Sequence, residues 1–328
     1  MKNNRRERAP SQHKPSRTRS ASKPAAPTPR PWQDISFDLR KADPQFPNIS
    51  LRWLLQALGF TFLGAGFCAW LLLCLLFWQG SWQLLYHPTH AVPATPANLS
   101  LPYQSVSFDA SETGVTQLTG WWIPADPASS TSAILVLHGA SGNLSDTLPL
   151  DAWLHQSHQN VFVFDYRGYG KSAPGKPSEK QALHDADRAF AWITDTRHIS
   201  PAHIVLWGTA LGADIAAELA VEHPEVGGVV LDHPLQHPLD AILADPRSHL
   251  VPAHWLLQDH YDLSQTARAL KIPSLWLLDA NEPAPPAYGQ VARQKTALWL
   301  KTPYETDPQA APAFMRWLDD LPSFSSSR

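Results

Sequence analysis

The sequence predicts an α/β protein: a mostly parallel sheet with helices on both faces and a small cap insertion, preceded by one transmembrane helix. Three observations carry that expectation. Residues 57–78 run for 22 positions without a charge. Beyond residue 130, short apolar runs alternate with amphipathic stretches, the rhythm of strands and covering helices. One of those runs, Ile204 to Trp207, leads into Gly208-Thr209-Ala210-Leu211-Gly212 and then a helical segment.

The chain begins with a basic head. Residues 1–52 hold twelve of the 26 Lys and Arg but only four of the 29 Asp and Glu, so the head carries about +8 and the remainder about −11. The acidic remainder excludes nucleic acid as its partner, and an apolar boundary between the two halves makes topology the better account of the asymmetry. Residues 1–50, rich in Arg, Lys, Pro, Ser and Ala, bury too little apolar surface to offset chain entropy. They are expected to form a disordered cytoplasmic tail, ending in a juxtamembrane segment with Trp32, Phe37 and Phe46.

Residues 51–78 are expected to cross the bilayer. At about 20 residues per crossing the uncharged run is long enough, with Arg52 and Trp53 at one end and Trp78 at the other. It is too long, and too far from the N-terminus, for a cleaved signal peptide. The positive-inside rule leaves the head in the cytoplasm and the body outside, with a bacterial inner membrane and a periplasmic body as the expected setting. The only cysteines, Cys68 and Cys74, lie in this segment, which excludes disulfides, thiol nucleophiles and Cys-type metal clusters from the body.

Residues 79–104, containing Trp82 to Pro88, read as a linker; residues 105–328 read as the body. Ser105 to Phe108 and Leu118 to Ile123 are early strands joined by a turn containing Gly114. The parallel strands are expected at 133–137, 161–164, 204–207, 228–231, 274–278 and 297–300. Ser178-Glu179-Lys180-Gln181 is a capping box that opens a helix. Residues 234–271 exceed a simple crossover and are expected to form a cap over the carboxyl ends of the strands.

The turn at 208–212 has the layout of a nucleophile elbow, in which flanking glycines let strand and helix approach while the central side chain faces the mouth of the sheet. Here that position is Ala210, a methyl with no lone pair to attack or protonate. Upstream, Leu137-His138-Gly139-Ala140-Ser141-Gly142-Asn143 follows one strand as a glycine-rich turn suited to an oxyanion hole. Asp165-Tyr166-Arg167-Gly168-Tyr169-Gly170-Lys171-Ser172 follows the next.

Together these strings resemble the α/β-hydrolase superfamily, and within it the membrane-anchored, serine-aminopeptidase-like branch, over about Trp82 to Leu321. The resemblance implies a triad in the order Ser, acid, His, with oxyanion donors at Ala140 and Leu211. It places the acid at Glu282 or Asp279. It places no histidine, because the last one, His260, precedes both acids and the final strand. The implied triad is degenerate, and the expectation is a pseudoenzyme, without cofactor, that acts by binding a lipid, an acyl or peptide ligand, or a protein partner in a pocket lined by Trp207, Leu211 and the neighbours of Ala140.

Two rival chemistries are open to the sequence. Ser141 beside His138 is the fallback nucleophile, against an ordinary turn serine. Asp232, His233 and His237 offer metal-ligating side chains within a few positions and so a bound water, against polar loop residues, since Pro234 and Pro238 bar a regular helix. Either would make the chain an active membrane-tethered esterase, lipase or peptidase.

Overall fold

The computed structural model describes residues 50–109, 115–126, 131–304 and 306–324. The expected tail over 1–49 and the Gly114 turn lie outside the described residues. The chain separates after Phe60 into two units. Among the described residues, the N-terminal unit holds the start of helix α1 (Leu51–Gly80), which is long and apolar enough to cross a membrane.

From Thr61 onward α1 carries two kinds of face. Cys74 and Phe77 are buried in the core of the body, whereas Leu71, Leu72, Leu75 and Leu76 stay exposed. The segment read as a linker is packed and not a free spacer. After a 3₁₀ turn at Ser81–Leu84, Leu85 and Tyr86 enter the same core, and His87–Pro88 pairs in parallel with Ser141–Gly142. Its apolar content is the reason: left exposed, those side chains would cost about 1.5–3 kcal/mol each.

The sheet has eight strands: β1 (Gln104–Asp109), β2 (Thr116–Ile123), β3 (Ala133–Leu137), β4 (Asn160–Asp165), β5 (Ile204–Thr209), β6 (Gly228–Asp232), β7 (Ser274–Asp279) and β8 (Lys295–Leu300). Their order is β8-β7-β6-β5-β3-β4-β2-β1; β2 runs antiparallel to β1 and β4, and the other neighbours are parallel. Every residue of β3, β4 and β6 is buried, as continuous apolar runs covered on both faces require. The strand at the far edge, β8, departs from that expectation: only Leu300 is buried, because one side of the strand has no neighbour.

Helices α2 (Leu148–His155), α3 (Glu179–Arg197), α4 (Leu211–Glu222), α5 (Leu263–Ala269) and α6 (Ala310–Asp319) accompany the sheet. Ser178 caps α3 by accepting from Gln181 N–H, but the box is one-sided: the Gln181 side chain donates to the Arg167 carbonyl instead. Between β6 and α5, in the stretch assigned to the cap, come short helical turns at Asp240–Leu243, Pro246–Leu250 and Ala253–Leu256.

Candidate functional site

The elbow is built as its glycines imply. A Cβ on Gly208 would lie 2.1 Å from the Gly212 carbonyl oxygen, and one on Gly212 would lie 2.1 Å from that of Leu137. Only hydrogen fits at either position, so β5, α4 and the end of β3 close on one another. Between the glycines Ala210 sits at φ 52°, ψ −114°, outside the helical and extended regions open to an L-residue. Its N–H donates to the Asp232 carbonyl at 2.9 Å, which holds the turn against β6. Ala210 lies at the step from β5 into α4 and keeps the strain of a sharp turn without a reactive atom.

The glycine-rich turn after β3 faces this elbow: a Cβ on Gly139 would meet the Ala210 methyl at 3.6 Å. Ala140 and Leu211 both border one small cavity, together with Tyr86, His138, Gly139 and Tyr169. The cavity measures about 10 Å³, room for no more than about one water. At the elbow the space is therefore too small for an acyl chain or a peptide end, while a separate space of about 140 Å³ lies between Trp82, Pro177 and Ser178 on one side and the cap residues Ile242 and Leu257 on the other. Tyr86, Tyr166 and Tyr169 border the elbow cavity. Tyr86 bonds Tyr261 Oη at 2.7 Å and donates to Asp259 Oδ2 at 3.0 Å, while Tyr169 donates to the Ala140 carbonyl at 2.8 Å.

Trp207 does not line the cavity. It is fully buried in the core on the other side of the sheet from Leu211, against Trp153, Tyr304 and Phe314. Side chains alternate along β5, and that alternation carries Trp207 away from the mouth. Tyr304, in the loop after β8, belongs to the same aromatic cluster.

Two histidines lie near the elbow. His138, at the end of β3, is buried; its Nδ1 bonds the Gly139 carbonyl at 2.8 Å. Burial is the main cause holding the ring down to about 4, so it is neutral near pH 7. Its Nε2 stands 3.8 Å from Asp165, whose carboxyl burial pushes up to about 7. Both groups favour their uncharged forms, so this contact is not an ion pair of consequence.

His233, at the end of β6, donates from Nδ1 to Asp232 Oδ1 at 2.6 Å, and that bond is the first cause raising the imidazole above its usual range. The charges of Asp279 and Glu282 raise it further. The other oxygen of Asp232 accepts from Thr209 Oγ1 at 3.2 Å and from the Trp207 indole at 3.4 Å. Beside the elbow, one buried carboxylate thus joins a hydroxyl to an imidazole, with the carboxylate between them and no hydroxyl–imidazole bond. The acid candidates Asp279 and Glu282 act on His233 at the end of the neighbouring strand. Asp279 Oδ1 also accepts from Asn281 N–H at 2.7 Å, and Glu282 is exposed.

The rival chemistries fare poorly. Ser141 is exposed, its backbone pairs with the segment after α1, and among the described residues no imidazole bonds its hydroxyl. His237 is exposed and does not join Asp232 and His233; among the described residues no three His, Cys, Asp or Glu are arranged to hold a metal. Pro234 between them and the positive φ of His233 prevent the regular helix that would place the two rings on one face.

The family profile described as alpha/beta hydrolase fold matches residues 132–308. The chain belongs to that family. An uncharacterized protein of Mycobacterium tuberculosis is 32% identical over 212 residues, covering 64% of this chain and 73% of that one. The alpha/beta hydrolase domain-containing protein WAV2 of Arabidopsis thaliana is 31% identical over 48% of this chain and 53% of its own length. An uncharacterized membrane protein of Saccharomyces cerevisiae is 31% identical over 42% and 48%. Among solved structures, a Pyrococcus furiosus esterase superposes with TM-score 0.56 at 21% identity, covering 72% of this chain and 98% of that one, which speaks to the fold alone. The long apolar helix and the similarity to a yeast membrane protein point to membrane association for this member of the family.

The sequence reading missed Tyr86, which borders the cavity, its partners Asp259 and Tyr261, and the Thr209–Asp232–His233 chain beside the elbow. The Asp-His pair ending β6 was visible as a possible metal site. Its signal as an elbow neighbour was its register, Thr209 opposite Asp232.

Proposed function

We propose that this chain is a membrane-anchored α/β-hydrolase-like protein, of the serine-aminopeptidase-like branch, that has lost its triad and acts by binding. The observation that carries the reading is Ala210: an elbow retained in its strained geometry with a methyl at the attacking position. No histidine follows His260 to supply a base after β8, and the loop there contributes Tyr304 to an aromatic cluster. Loss of nucleophile and base together removes on the order of 10⁶-fold in rate. The basic head lies in the cytoplasm and the body on the other face, in a bacterial inner membrane. Because the cavity at the elbow has room for no more than about one water, a lipid, acyl or peptide ligand enters it only when bordering side chains such as Tyr86 and Tyr169 move, whereas a protein partner is met on the surface.

A second reading, hydrolysis by a non-standard nucleophile, draws on the Thr209–Asp232–His233 chain. One experiment separates them. The purified full-length chain in detergent is treated with a fluorophosphonate probe and assayed on short-chain esters, beside Ala210→Ser and Thr209→Val. Binding without hydrolysis predicts no adduct and no turnover in the parent, and little gain in Ala210→Ser. Turnover in the parent that Thr209→Val abolishes would overturn the proposal, and robust activity in Ala210→Ser would show that a base reaches the elbow.

A further inference from the structure

Helix α1 does more than tether the body, since its last turns are a wall against which the cap is hung. The Trp70 indole N–H donates to the Leu250 carbonyl at 3.1 Å. Trp70 lies eight residues before Trp78, about 12 Å along the helix at 1.5 Å per residue, and so inside the apolar run. On the same turns Cys74 and Phe77 are buried while Leu71, Leu72, Leu75 and Leu76 are exposed at 46–56%. In water four such leucines on consecutive turns are unfavourable; against acyl chains they are not. The level at which lipid meets one side of α1 is therefore the level at which the cap meets the other.

The cap presents matching chemistry at that level. Leu250 is 60% exposed and Trp255 is 89% exposed, the most exposed large apolar side chain among the described residues. Both belong to the short helical turns Pro246–Leu250 and Ala253–Leu256. Their backbone is provided for: Leu250 O accepts from Trp70, Trp255 N–H donates to Pro252, Leu257 N–H to Ala253, and Pro252 has no N–H. Backbone placed at a bilayer needs such internal partners. Arg247, paired with Asp245 and exposed, stands three residues from Leu250, where a guanidinium can lie among headgroups. Trp255 also borders a groove of about 460 Å³ with Leu243, Val251 and Pro252, which offers an apolar wall to an acyl chain.

We infer that the cap is a second membrane contact: Leu250 and Trp255 insert into the outer leaflet beside α1, so the partner of this surface is the lipid of the protein's own bilayer. The inference rests on α1 spanning the membrane, and the experiment keeps the two apart. The full-length chain with Cys68→Ala and Cys74→Ala receives one cysteine at a time, at Trp255, Leu250, Leu63 or Glu225. Each variant is labelled with bimane and reconstituted into phosphatidylcholine/phosphatidylglycerol vesicles carrying lipids brominated at shallow or deep acyl positions. Thermal melts establish that each variant is folded.

Leu63 is 72% exposed on α1, and Glu225 is an exposed residue ahead of β6, at the opposite end of the strands from the cap. The expected result is deep quenching at Leu63, none at Glu225, and shallow quenching at Trp255 and Leu250, corresponding to about 5–10 Å into the headgroup/acyl boundary. Quenching at Leu63 with water-like emission at both cap positions overturns the inference and leaves the anchor intact. Absence of quenching at Leu63 overturns the anchor and the inference together.

Discussion

Replacing Ala210 with glycine is expected to stabilise the protein. At φ 52°, ψ −114° the alanine occupies a conformation that costs about 1–3 kcal/mol for a residue with a Cβ. Glycine relieves that strain but adds about 0.4–1 kcal/mol of chain entropy to the unfolded state. The methyl is only partly buried and forfeits a fraction of the ~0.8 kcal/mol of a buried carbon. The balance is a gain of about 1 kcal/mol, or roughly 2–4 °C in Tm for a body of this size. Ala216→Gly is the internal control: fully buried in the middle of α4, it loses about 1 kcal/mol of helix propensity and ~0.8 kcal/mol of burial. The assay is thermal unfolding of the full-length chain in one detergent, followed by circular dichroism. A melting temperature that falls for Ala210→Gly as it does for Ala216→Gly would refute the claim that the elbow is strained.

Other substitutions test the surroundings. Gly212→Ala drives a methyl into the carbonyls of Leu137 and His138 and is expected to cost about 3 kcal/mol or more, read as a lowered Tm or loss of folded protein. Asn143, buried, donates to Thr89 and Ala91 and accepts from Ser145. Asn143→Ala should cost about 2–4 kcal/mol by orphaning those groups, with faster proteolysis of residues 86–91 as the local readout. The Glu218 carboxyl is pushed up to about 7, first by burial and then by the charge of Glu179. The folded state holds that proton more tightly than the unfolded one, so stability is highest below the ordinary Glu range and falls as pH rises towards 7. After allowance for solvent screening the loss is about 1 kcal/mol, and Glu218→Gln should flatten that slope in melts from pH 4.5 to 7.5.

Much of the sheet was legible because burial on both faces writes itself into sequence as unbroken apolar runs: each of the six runs named in advance lies within a parallel strand. The elbow was legible for a different reason, since two glycines at fixed spacing report a close approach of backbones. What escaped notice depended on distant pairs. Tyr86 finds Asp259 and Tyr261 across 173 and 175 residues, and nothing local to Trp82–Pro88 reveals that its aromatic ring will border a cavity. Trp207 was assigned to the wrong face because alternation along a strand separates two sides without saying which one opens at the mouth. At β8 the apolar run overstated burial, since an edge strand has a neighbour on one side only.

Because Leu85 and Tyr86 are held in the core only a few residues beyond the end of α1, the body has no leash. With α1 in a bilayer, as proposed, a body packed on the last turns of that helix keeps one level instead of swinging on a spacer. Under that proposal a ligand or partner comes to a fixed station, which turns a search through a volume into encounters along a plane.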